Sequence, residues 1–233
     1  MANNGILSLS PQARDWLKVM AFASMVTDHA AIVFGWQAGW LHMVGRAAMP
    51  LFALVWGSNL ALHPVSLTSL RKTWMWAVLA QPVFFLALHP TGQAWYQLNI
   101  LFLFAVSGLV MYALDRQAWP PILLAVLSVA CWVPLSAASY GLRGIVLMVA
   151  SVLLFRVSTD GQLPAVTGWF LAVLVLNLPN GLPMALAGVS LSWLLTGLCA
   201  CYLKGHTRLR ITRWFAPAYA FHLGLLFVLA PFA

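Results

Sequence analysis

The chain has 233 residues, of which 63% are hydrophobic and 7% are charged, and its formal net charge is +8. A soluble globular domain carries about 25% charged residues, so this composition excludes an ordinary soluble domain and predicts a polytopic membrane protein. The positive charge does not indicate nucleic-acid binding, because so apolar a chain offers no basic, water-exposed face for it.

Nine apolar runs are long enough to cross a membrane, and their continuous hydrophobicity predicts helices rather than barrel strands. They cover residues 17–36, 42–62, 70–89, 96–114, 119–136, 141–157, 163–180, 182–203 and 214–232. We therefore expect an all-α bundle of about nine transmembrane helices. Residues 1–16 would form a cytoplasmic N-terminal segment, and residues 17–233 one transmembrane domain.

The Lys and Arg residues indicate how the helices are oriented. Ten of the twelve fall at the N-terminus or in alternate loops, and the intervening loops hold almost none. Because positively charged loops stay in the cytoplasm, the N-terminus is predicted to be cytoplasmic and, with nine spans, the C-terminus external. The ten are Arg14, Lys18, Arg71, Lys72, Arg116, Arg156, Lys204, Arg208, Arg210 and Arg213.

The adjacent pair Asp28-His29 lies inside the first apolar run. An ionisable group in the hydrocarbon region is costly, so it is rarely present without a function. Arg46, the one basic residue deep in a predicted span, lies in the next antiparallel helix and is the natural partner of Asp28. The pair would either hold two helices together or form part of an active site. The same Asp-His pair interrupts the apolar core that a signal peptide needs, so we expect an uncleaved first helix.

Two histidines inside predicted spans are candidate proton carriers. His29 titrates near neutral pH, but adjacent positions on a helix point about 100° apart, so Asp28 is not expected to orient it. His222 shares a helix face with Tyr219 and is otherwise a hydrogen-bonded packing residue. His42 and His63 lie at span ends and are predicted to be interfacial. The spacing of His and Cys does not indicate a metal site.

The sequence resembles the TraX family of pilin acetylases in several segments. The resemblance is carried by Val26-Thr-Asp-His-Ala30, by Val44-Gly-Arg-Ala-Ala-Met-Pro-Leu-Phe-Ala-Leu-Val-Trp-Gly-Ser-Asn59, by Asn99-Ile-Leu-Phe102, by Pro134-Leu-Ser136 with Ser139-Tyr-Gly141, and by Ala218-Tyr-Ala-Phe-His222. These segments span nearly the whole chain. The family also looks like a distant branch of the transmembrane acyltransferases.

The resemblance implies a multi-pass acetyltransferase of the bacterial inner membrane. Such an enzyme moves acetyl from the cosubstrate acetyl-CoA to the N-terminal amine of processed conjugative pilin. The family's motif residues correspond to Asp28, His29, Gly45, Arg46 and His222. His29 would take the proton of the amine, and His222 would be the alternative, acting through an acetylated imidazole.

Further residues are candidates for binding acetyl-CoA. Arg46, Asn59 or Tyr140 would stabilise the tetrahedral oxyanion. The cytoplasmic basic residues would bind the CoA phosphates, although topology alone also accounts for them. These are Arg71, Lys72, Arg208 and Arg210.

Two other functions compete with acetyl transfer. A proton-coupled transporter would use buried Asp, His and Arg equally well, although the matching half-repeats of many transporters are not evident. The third possibility is a non-catalytic membrane protein that assists pilin assembly. Acetylation of co-expressed pilin separates the three.

Overall fold

The structure is a computed structural model that describes residues 7–207, 209 and 214–232. Within these residues the secondary structure is helical and contains no strand, so the all-α prediction is confirmed. The α-helices are α1 (Pro11–Val33), α2 (Gly39–Gly45), α3 (Ala48–Leu62), α4 (Leu67–Leu88), α5 (Ile100–Arg116), α6 (Trp119–Trp132), α7 (Gly141–Arg156), α8 (Gln162–Asn177), α9 (Leu182–Tyr202) and α10 (Phe215–Leu229).

Four helical segments of the described chain are long and apolar enough to cross a membrane. They are Pro11–Val33, Ala137–Arg156, Gln162–Asn180 and Leu182–Tyr202. Trp119–Leu135 and Phe215–Leu229 are apolar but shorter. The count of nine spans and the cytoplasmic N-terminus stay predictions.

Helix α1 begins earlier than the apolar run that predicts it. Pro11 occupies its first position, where a missing N–H costs nothing. The Ser10 hydroxyl accepts a hydrogen bond from the Ala13 N–H at 3.0 Å, which caps the helix. Part of the predicted polar N-terminal segment therefore belongs to the first helix, and Arg14 and Asp15 are buried on it.

The second predicted span, 42–62, is not one helix, and this prediction is wrong. It divides into α2 and α3, and Arg46 lies in the turn between them rather than inside a helix. Pro50 gives the physical reason, because it has no N–H to donate to the Arg46 carbonyl and its ring would clash with that carbonyl in a continuous helix. The break places the Arg46 side chain at a helix end.

Two other expectations about helix boundaries also need correction. The sequence Gln81-Pro82 within the third span favours a break or kink, because proline removes a helical hydrogen bond, but α4 continues through Pro82. Arg71 and Lys72 were expected in a loop, but both are exposed residues near the start of α4.

The Gln81 side chain instead joins α4 to the start of α5. Its Oε1 accepts from the Asn99 backbone N–H at 3.0 Å and from Asn99 Nδ2 at 2.8 Å, and its Nε2 donates to the Gln97 carbonyl at 2.8 Å. Asn99 is fully buried, and its Oδ1 accepts from the Leu101 N–H, which caps α5.

The described residues group into two compact units. The first draws on Met1–Ala31, Trp36–Leu62 and Val146–Arg213, and in it α9 packs against α2, α3 and α8. Its buried core includes residues from α1, α3, α9 and the turn before α3: Ala13, Leu17, Ala21, Ala47, Leu51, Val55 and Cys199. The second draws on Ile32–Gly35, His63–Ile145 and Trp214–Ala233, and in it α4 packs against α5 and α10, and α5 against α6.

Candidate active site

The carboxylate of Asp28 lies at the centre of a charged cluster in the first unit. Its Oδ2 accepts a hydrogen bond from Arg46 Nη2 at 2.7 Å, and its Oδ1 lies 2.9 Å from His42 Nδ1. The Asp28 and Arg46 side chains are each only 12% exposed. The predicted pairing of Asp28 with Arg46 is therefore confirmed.

The helix break between α2 and α3 positions Arg46 for this contact. Arg46 ends α2, and its Nε donates to the carbonyl of His42 at 3.2 Å while Nη2 reaches Asp28. These two bonds hold the guanidinium in one orientation. Because the cation lies directly against the carboxylate, the pair is tolerated where either charge alone would be very costly.

His42 is the residue that the sequence reasoning missed. It was predicted to be interfacial, and its side chain is 32% exposed, but its ring also bonds the Asp28 carboxylate. A signal was present in the sequence, because His42 precedes Arg46 by four positions and so shares its helix face. The interfacial prediction rested only on the position of His42 at the end of the predicted span.

His29 is beside the cluster, on the same helix as Asp28. The charges of Asp28 and Arg46 both act on its imidazole. Both carboxylate oxygens of Asp28 bond residues of the following segment, His42 and Arg46, as expected from the divergence of adjacent helix positions. The cluster therefore combines one carboxylate, one guanidinium and two imidazoles.

Asn59 is not close to this cluster. Its Oδ1 accepts from Arg14 Nη1 at 3.2 Å, and Arg14 is in the first turns of α1. Fourteen positions separate Arg14 from Asp28, which corresponds to about 21 Å along a helix. The structure therefore places Asn59 toward the other end of α1, where it is a hydrogen-bond partner of the buried Arg14 side chain.

The remaining candidates lie in the second unit or outside the described residues. His222 is buried on α10, and its ring is 5.4 Å from that of Tyr219, which confirms the shared face. Tyr140 has a left-handed backbone with φ of 67° and immediately precedes α7. Arg71 and Lys72 are exposed. Arg208 and Arg210 lie outside the described residues.

The groups of the cluster can carry protons. Among residues 7–207, 209 and 214–232, no group of three or more His, Cys, Asp or Glu side chains is arranged to hold a metal ion. Imidazoles next to a fixed carboxylate and a guanidinium can accept and return protons. The arrangement therefore suits a reaction in which a nucleophile loses a proton.

Comparison with known proteins assigns the chain to a family. The family model described as "TraX protein" matches residues 13–230. Protein TraX of Escherichia coli is 38% identical over 224 residues, covering 95% of this chain and 88% of that protein. A second Protein TraX, from Escherichia coli strain K12, is 37% identical over 228 residues, covering 97% and 90%. No solved structure matches the chain. The chain belongs to the TraX family.

Proposed function

We propose that this protein is an integral membrane acetyltransferase that moves acetyl from acetyl-CoA to the N-terminal amine of processed conjugative pilin. The observation that carries the proposal is the Asp28–Arg46 ion pair, with His29 and His42 beside it, on helices of a highly apolar chain. Family membership supports a role in conjugation, and the buried proton-carrying groups support a chemical role.

The proposal includes a topology. The N-terminus is cytoplasmic, about nine helices cross the bacterial inner membrane, and acetyl-CoA enters from the cytoplasmic side, where the basic residues are concentrated. The CoA phosphates bind exposed cations, for which Arg71, Lys72, Arg208 and Arg210 are the candidates. Pilin is in the same membrane and presents its amine from the other side.

The reaction needs a free amine lone pair. The amine nitrogen attacks the thioester carbonyl, a C–N bond forms, and the C–S bond breaks as the tetrahedral intermediate collapses. His29 takes a proton from the attacking nitrogen and returns one to the departing thiolate sulfur, so that the imidazole ends each cycle as it began. The products are the acetylated amine and CoA thiol.

The geometry bears on two of the residues that were candidates for stabilising the oxyanion. Asn59 bonds Arg14 toward the other end of α1, so we assign it no oxyanion role. Arg46 uses Nη2 and Nε for Asp28 and the His42 carbonyl, which favours a role in holding the cluster. The oxyanion role expected for Tyr140 stays a prediction.

Mass spectrometry of the pilin N-terminus tests the activity. Pilin co-expressed with the wild-type protein should be acetylated, and pilin expressed alone should not. His29→Ala should abolish acetylation, whereas His206→Ala, an exposed control, should not. Unmodified pilin with the wild-type protein would refute the enzyme, and proton flux without acetylation would indicate the transporter.

His222→Ala decides between direct transfer and an acetylated His222. In direct transfer through His29, the variant retains acetylation if it folds. An acetyl-His222 intermediate would be trapped by quenching the wild-type protein with acetyl-CoA in the absence of pilin and detected by peptide mass spectrometry.

A further inference from the structure

His42 has the geometry of a second base, and this inference rests on the proposed function. We propose that His42, held by Asp28, removes the first proton from the N-terminal ammonium of the substrate and passes it to solvent, before His29 acts on the neutral amine. The reaction of an ammonium with a thioester gives an amide, a thiol and one free proton. Two protons leave the nitrogen, but only one is needed by the sulfur.

The hydrogen bond to Asp28 sets the chemical state of the His42 ring. An ionised carboxylate only accepts hydrogen bonds, so His42 Nδ1, 2.9 Å from Asp28 Oδ1, carries the hydrogen. Nε2 then carries the lone pair, which is the form that accepts a proton. The carboxylate also stabilises the imidazolium that results, as in other carboxylate–imidazole pairs.

The position of His42 suits proton release. Its side chain is 32% exposed, whereas the carboxylate that holds it is on a side chain only 12% exposed. A partly exposed ring can reach both a substrate ammonium and water. His42 also lies on α2, a short helix that carries the exposed Trp40 in its first turn and follows the exposed Trp36.

Few charges act on His42 in the first unit. Asp28 and His29 lie on α1, and Arg46 ends the helix that carries His42. Helix α9 packs against α2, and its residues 182–202 include no Asp, Glu, Lys, Arg or His. Helix α3 likewise has none in 48–62. The carboxylate of Asp28 is therefore the charged group that His42 contacts, and Arg46 shares that carboxylate.

The pH dependence of acetylation tests this role. The substrate is processed pilin in membrane vesicles holding the full-length protein, and the initial rate with labelled acetyl-CoA is measured from about pH 6 to pH 9.5. An α-amino group has a pKa near 7.7–8.0, so at about pH 6.5 roughly one amine in twenty is neutral. His42→Asn keeps an amide donor for Asp28 but has no base. The acetylation rate of this variant should therefore be about 10–20-fold below the wild-type rate at that pH, and within about twofold of the wild-type rate at pH 9.5.

Two further variants give the comparison. His29→Asn should be defective at every pH, because the second proton is lost only after attack. His63→Asn, an exposed matched control, should follow the wild type. If His42→Asn lowers the rate equally at all pH values, or leaves the rate unchanged at low pH, His42 is not the ammonium base.

His42→Gln provides a second variant in case His42→Asn does not fold, and the same recovery at high pH is expected. Absence of acetylation by the wild-type protein at every pH would overturn the proposed function itself. That outcome is distinct from an active wild type with a pH-independent His42 defect, which overturns only the present inference.

Discussion

A Cβ atom added to Gly45 would lie 2.5 Å from the Cβ of Asp28 and 2.6 Å from its Cγ. Carbon atoms in folded proteins do not approach so closely without bonding, so the Asp28 side chain occupies space that any larger residue at position 45 would need. Glycine here lets α1 and α2 approach until His42 and Arg46 both reach the carboxylate. The glycine and the arginine of the Gly45-Arg46 pair therefore serve the same cluster.

Gly45→Ala should displace the Asp28 side chain and weaken both of its bonds. Overpacking of this kind costs about 1–3 kcal/mol, which should appear as a lower thermal unfolding temperature in detergent, together with reduced pilin acetylation. Gly39→Ala is the matched control on the same helix, because its added Cβ meets nothing within 4 Å. A Gly45→Ala protein as stable and active as the control would show that the contact is not needed.

Removing one partner of the Asp28–Arg46 pair should destabilise the protein more than removing both partners. Asp28→Leu or Arg46→Leu alone leaves one poorly solvated charge without its partner, a loss of about 3–5 kcal/mol in buried pairs. The double variant removes both charges and should recover much of that stability, though not acetylation. Unfolding free energies of the four proteins in mixed micelles give the coupling, and strict additivity of the two single effects would contradict the pairing.

Gly57 lies at a close backbone approach within the first unit. A Cβ there would lie 2.3 Å from the Ser151 carbonyl oxygen and 2.8 Å from the Val152 nitrogen, which are backbone atoms and cannot turn aside. Gly57→Ala should therefore force α3 away from α7 and cost about 3 kcal/mol or more. Gly168→Ala, with open space around its Cβ, is the control. Yield and unfolding temperature measure the difference, and equal values would argue against this packing.

Asn99 should contribute more stability than an exposed helix cap. Asn99→Ala removes the cap of α5 and the side-chain hydrogen bonds that Asn99 Nδ2 donates to Gln81 Oε1 and to the Ala77 carbonyl. We expect a loss of about 3 kcal/mol, since each of these three hydrogen bonds contributes about 0.5–1.5 kcal/mol. Ser66→Ala removes the exposed cap of α4 and should cost about 1 kcal/mol. Chemical unfolding compares the two, and equal losses would show that burial adds nothing.

The sequence alone determined the class of the protein and the centre of its candidate site. Hydropathy predicts helices because apolar runs of this length must satisfy their own backbone hydrogen bonds. The pairing of Asp28 with Arg46 followed from charge and from the order of the helices, because each is the one residue of its sign deep in a predicted span and the two spans are consecutive. Tyr219 and His222 were placed together by helical spacing, and the ring contact agrees.

Tertiary structure decided what hydropathy does not record. A hydropathy window averages over Pro50, so the break that puts Arg46 at a helix end was invisible to it. The bond from His42 to Asp28 joins residues of two different helices, and its existence depends on how closely those helices approach. That approach depends on the absence of a side chain at Gly45. Helix packing likewise determines that Asn59 bonds Arg14. Residue types identify the groups able to carry chemistry, but only the packing distance between helices determines which of them meet.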